Sequence, residues 1–118
     1  MTVRRWRLSA AADADITQIL RSTRRQFGRD QMARYRALLT RTADLAADDP
    51  LPPGSWSAHE LLPGLRARHA AIAAGRRAAA VYVFYDLASA DEPHVLIVRV
   101  LHQRMDPARH IDNADEPT

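Results

Sequence analysis

The chain has 118 residues, the size of one compact domain with little room for a second. All seventeen basic side chains are Arg, against fourteen acids for a net charge of +3, and the absence of Cys excludes disulfides, thiolate metal sites and a cysteine nucleophile. The longest apolar stretch, Ala78 to Tyr85, falls far short of the ~20 residues of a membrane-spanning helix, and the N-terminal arginines lack the apolar segment of a secretory signal, so a cytoplasmic location is expected.

Residues 4–8 are strand-compatible and stop at Ser9, whose hydroxyl suits the N-cap of a helix. Asp13 and Asp15 then lie near the positive helix start, and Ile16, Ile19, Leu20, Thr23 and Phe27 draw one apolar stripe at helical spacing. Gly28 is placed to end this helix in a left-handed cap. A second stripe follows at once in Met32, Tyr35, Leu38, Leu39, Thr42, Leu45 and Ala46, with Arg29, Arg34, Arg36 and Arg41 opposite and Asp48-Asp49-Pro50 closing it. Two amphipathic helices joined so tightly read as an antiparallel hairpin.

Residues 50–64 hold four prolines and two glycines, a loop to be pinned by Trp56, Leu61 and Leu62. From Leu65 to Ala74, alanine content favours a helix while alternation favours a strand, and the two readings stay open. Gly75-Arg76-Arg77 reads as a turn into a strand over 79–87, and Asp91-Glu92-Pro93 as a second turn. His94 to His102 is apolar on both faces and is predicted to be a central strand. Strict alternation would put His102 with Leu96, Val98 and Val100, and Arg99 with Val95, Ile97 and Leu101; Arg99 then needs an acid such as Asp13, Asp15 or Asp106. The order β-α-α-β-β-β predicts an α+β domain over residues 1–111, its helical hairpin packed on a mostly antiparallel sheet. The chain is expected to fray from Ile111, leaving 112–118 as a flexible acidic tail. From Asp106 onward the chain carries −3, so the preceding 105 residues carry +6, a body suited to an anionic partner.

Leu8-Ser9-Ala10, Ala14-Asp15-Ile16, Phe27-Gly28 with the later Tyr35, and Gly64-Leu65-Arg66 appear in the order of the opening and centre of one known family. The run Val98-Arg99-Val100-Leu101-His102-Gln103-Arg104-Met105-Asp106, followed by Arg109-His110-Ile111, is similar to that family's closing strand and exit. The chain thus resembles the ParE branch of the RelE/ParE toxin superfamily over residues 4–111. The resemblance implies a helical hairpin on a curved antiparallel sheet, and a toxin of a type II toxin–antitoxin module neutralised by a cognate, ParD-like antitoxin. The ParE branch poisons DNA gyrase; the RelE branch cleaves messenger RNA on the ribosome. The proline-rich loop and the alanine-rich stretch after Arg68 depart from the family pattern.

RNA cleavage through the 2′-hydroxyl needs a base, a cation for the phosphorane and an acid for the leaving oxygen. In the RelE branch, lysines, arginines and a C-terminal tyrosine serve; this chain has no Lys, and its tyrosines are Tyr35, Tyr82 and Tyr85. An alternative nuclease set is Glu60 as base, Arg66 or Arg68 as clamp, and His102 or His110 as acid. The leading expectation is a binding inhibitor without catalytic residues, metal or cofactor. Its target contacts are Arg104, Met105 and Arg109, its antitoxin contacts Arg24, Arg25, Arg34 and Arg41. A plain nucleic-acid-binding domain is the third class. Homodimer and heterotetramer with the antitoxin are both left open.

Overall fold

In the computed structural model, which describes residues 5–48, 55–70, 81–88 and 93–111, the chain runs β1 (Arg5–Leu8), α1 (Ala10–Phe27), α2 (Arg29–Asp48), β2 (Trp56–Ser57), β3 (Arg66–His69), β4 (Tyr82–Leu87), β5 (His94–His102) and a 3-10 turn at Pro107–Arg109. The five strands form one sheet in the order β1-β5-β4-β3-β2, antiparallel except for the β1–β5 pair. The expected α+β order holds, with the two-residue β2 as an added edge strand that the proline-rich segment had concealed. Residues 66–69 settle as strand. Ala67 is fully buried opposite Tyr85, and pairing with β4 outweighs the helix preference of alanine. The turns expected at Gly75 to Arg77 and Asp91-Glu92, the strand start at Ala79, Pro50, Pro52 and Pro53, and the tail at 112–118 lie outside the described residues.

Ser9 caps α1 as predicted: its Oγ accepts from the Ala12 N–H at 2.9 Å and donates to the Val98 carbonyl at 2.6 Å. One hydroxyl therefore both starts the helix and moors it to β5. Gly28 joins the helices at φ +91°, ψ 178°, which is extended on the positive-φ side and not the left-handed helical cap that was expected. Its N–H donates to the Arg24 carbonyl, closing α1, and its own carbonyl accepts from Met32 N–H, opening α2. A single residue serving both helices leaves no length for a true left-handed cap.

The hairpin packs Ala12, Ile19, Leu39, Ala43 and Ala46 on Phe84, Val95, Ile97 and Val100. Trp6 adds to this core and donates from its indole to Asp44 Oδ1 at 2.8 Å. The other sheet face has its own core: Ala58, Leu62 and Leu65 from the loop, and Ile111, cover Val83, Tyr85, Val98 and Leu101. Leu61 and Leu62 thus pin the loop as predicted, and Ile111, expected to fray, is buried. Trp56, 39% exposed, instead lies 5.2 Å from the His69 ring at the sheet edge.

Strict alternation fails in β5. Asp86 pairs with Ile97 and Tyr85 with Arg99, so Val98 is bulged. Ile97 and Val100 consequently share the hairpin-facing core, whereas Val98 and Leu101 join the opposite one. Phe27, expected to continue the α1 stripe, is 67% exposed because α1 extends past the sheet it packs on.

Candidate functional site

Past Leu8, β1 ends and leaves the outer edge of β5 open. The start of α1 closes it. Asp15 Oδ2 accepts the Val100 N–H at 3.0 Å, the role a neighbouring strand carbonyl would have played. The same carboxylate takes a two-pronged bond from Arg99, Nε to Oδ2 at 2.8 Å and Nη2 to Oδ1 at 2.9 Å. The Arg99 Nη1 reaches on to the His110 carbonyl at 2.7 Å. Of the three acids considered, Asp15 is therefore the partner of Arg99, and the pair ties helix, strand and closing segment together.

That tie sets the form of residues 103–111. Met105 N–H donates to the His102 carbonyl, and Asp106 caps the 3-10 turn by accepting from the Ala108 N–H. His110 and Ile111 close back on Pro107, and Ile111 seats in the core. Between these anchors Arg104, Met105 and Arg109 face solvent, with Met105 38% exposed and Arg109 3.8 Å from Asp106. An apolar contact flanked by two cations is held on a backbone fastened at both ends.

His102 stands at the end of β5, edge-on to Tyr82 at 5.7 Å, and its Nδ1 accepts the Arg104 N–H at 3.1 Å. Burial, with Tyr35 adding to it, pushes the Tyr82 hydroxyl above its ordinary value. The other members of the alternative nuclease set lie apart from it. Arg66 is opposite Asp86, four residues along β4 from the Tyr82 that pairs with His102. That is about 13 Å along the strand and two strand spacings across. Arg66 Nη2 donates to Ser55 Oγ at 2.7 Å, and among the described residues its buried Nε has no partner. Glu60 is exposed in the turn after β2, on the face carrying Tyr85, whose hydroxyl is raised by burial and then by the Glu60 charge. His110 contributes its backbone carbonyl to Arg99.

Arg68 is committed elsewhere. Its Nε and Nη2 bond Asp86 Oδ2 and Oδ1 at 2.8 and 3.1 Å, both side chains being almost wholly buried. Burial pushes Asp86 up to about 6, against the lowering influence of Arg68 and Arg66. Asp86 is not among the residues expected from the sequence to matter. The signal available was a lone acid among strand-forming apolar residues, in phase with the arginines of the facing strand.

The arginines expected to meet an antitoxin occupy two places. Arg34 and Arg41 lie two turns apart on one exposed stripe of α2; Arg24 and Arg25 fall in the last turn of α1, where the helix dipole favours cations. An open groove of about 520 Å³ is lined there by Gln18, Arg21, Arg24 and Arg25. Among the described residues no group of three His, Asp or Glu could hold a metal, and no helix is long and apolar enough to cross a membrane.

A helical hairpin thus lies on this sheet, and a pinned basic exit follows the last strand. The family model described as the ParE toxin of the type II toxin–antitoxin system parDE matches residues 6–107, and the chain belongs to that family. A relative from Escherichia coli, named Toxin ParE, is 42% identical over 101 residues, 84% of each chain.

Proposed function

We propose that the chain is the toxin of its module, that it inhibits DNA gyrase by binding it through Arg104, Met105 and Arg109, and that a ParD-like antitoxin neutralises it. The observation that carries this reading is the closing segment. Its exposed methionine and flanking arginines are fastened by the Arg99–His110 bond and by Ile111, so little order has to be gained on binding. Family membership supports the toxin role. The spread of Glu60, Arg66 and His102 over both faces and two ends of the sheet favours a binder over the alternative nuclease, as does the engagement of Arg68 by Asp86. The antitoxin lies along the exposed side of the hairpin, where Arg24, Arg25, Arg34 and Arg41 suit an acidic segment and speed its association. Residues 1–111 act as one domain in this reading, and the toxin works in the cytoplasm, where gyrase is.

The test is a supercoiling assay with purified gyrase and the isolated chain. Supercoiling is expected to fall with added chain and to recover with antitoxin. Unchanged supercoiling together with cleavage of ribosome-bound messenger would replace the binder by the nuclease.

A further inference from the structure

The tip of the hairpin reaches beyond the sheet. Ser9 bonds β5 at Ile97 and Val98, and Asp15 bonds it at Val100, so α1 advances along β5 in the strand's own direction. From Asp15 to Phe27 the helix climbs about 18 Å, while β5 has only about 7 Å left before it ends at His102. The return helix agrees. Tyr35, close enough to Tyr82 to raise its hydroxyl, stands level with that end of the sheet, and Arg29 lies about 9 Å farther out. About 10 Å of hairpin therefore extends past the end of β5, the last described strand on that side.

This tip carries Phe27, two-thirds exposed, amid Arg24, Arg25 and Arg29. The groove lined by Gln18, Arg21, Arg24 and Arg25 lies on the outer side of α1, and the row Gln18, Arg21, Arg24, Phe27, in three-residue steps, winds from it round to the ring. Among the described residues none of these arginines is held in an ion pair. Arg21 and Arg25, one turn apart, are neighbours on the helix surface. Phe27 adds nothing to either core. A cationic groove leading to a free aromatic ring is the pairing by which single-stranded nucleic acid is held: phosphates in the groove, a base on the ring. An acidic protein segment would satisfy the arginines but would leave the projecting ring unaccounted for.

We infer that the hairpin tip is a binding site for a single-stranded polynucleotide, with Arg21, Arg24 and Arg25 gripping the backbone and Phe27 stacking on a base. The site is separate from the closing segment, and its test needs no gyrase. Fluorescence anisotropy of the isolated full chain would be measured against labelled single-stranded DNA, single-stranded RNA and duplex DNA of equal length over a salt series. Tighter binding of either single strand than of duplex supports the site and says which sugar it takes. R21A/R24A/R25A is expected to weaken binding at least tenfold and to flatten the slope of log affinity against log salt by about 2. F27A, exposed and safe for folding, is expected to weaken it about tenfold with the slope unchanged. The inference is overturned if duplex binds as well as single strand, or if F27A has no effect. It is overturned as well if R34A/R41A costs as much as the groove triple, or if polyglutamate of matched charge competes equally with DNA.

Discussion

Arg68 and Arg99 are both arginines in apolar strands, and their partners set different consequences. Arg68 faces Asp86, fully buried and pushed up to about 6 from an ordinary 3.8. A carboxylate with a raised folded-state pKa contributes stability below about pH 4 that is lost as pH rises through about 6. A difference of about two pH units corresponds to about 3 kcal/mol. Asp86→Asn, which keeps shape and an acceptor for Arg68, removes that dependence. Between pH 4 and 7 the wild-type protein should therefore lose up to about 3 kcal/mol relative to the variant in urea unfolding. Arg68→Ala leaves a buried acid alone and is expected to cost about 3–5 kcal/mol at pH 7. Asp15→Ala orphans the Val100 N–H and the Arg99 guanidinium together. Chemical denaturation should show a loss of about 2–3 kcal/mol, and amide exchange should quicken in residues 100–111.

At the scale of elements the junctions carry the specification. Ser9 and Gly28 are single residues with two duties each, one ending β1 and starting α1, the other closing α1 and opening α2. A Cβ at Gly28 would meet nothing within 4 Å, so the cost of Gly28→Ala is the backbone conformation alone. At φ +91° and ψ 178° that cost is about 1–3 kcal/mol, to be read as a lowered thermal midpoint with the helix content unchanged. The helices were legible because their apolar stripes repeat at 3.6 residues and their caps are local. β3 was ambiguous because alanine has a helix preference that only β4 overrules. β2 was not legible because two residues carry no period.

Across the whole molecule, the sheet separates three surfaces: the projecting hairpin tip, the exposed stripe of α2, and the closing segment beyond β5. In the proposed function only the last meets gyrase. Replacing Arg104, Met105 and Arg109 together by Ala is expected to raise the concentration needed for half-inhibition of supercoiling at least tenfold. The unfolding midpoint should stay unchanged, since all three face solvent. The same triple should still bind antitoxin, which in this reading lies on the hairpin. Arg24 and Arg25 belong both to that antitoxin surface and to the inferred polynucleotide site, so antitoxin should displace bound single strand.

Local chemistry in the chain settled the two helices, the N-cap at Ser9, the burial of both faces of β5 and the need of Arg99 for an acid; β5 itself lies second in the sheet, with β4 at its centre. These follow from periodicity, capping and the cost of an unpaired buried charge, all readable within a few residues. Which acid answers Arg99, the bulge that parts Val100 from Val98, the burial of Ile111 and the exposure of Phe27 were decided by the assembled sheet. Each depends on where an element ends relative to one distant in sequence. Asp15 meets Arg99 because β1 stops opposite Ile97, three residues short of Val100, and Phe27 meets solvent because α1 outruns β5. Those are lengths compared in space, and no residue carries them alone.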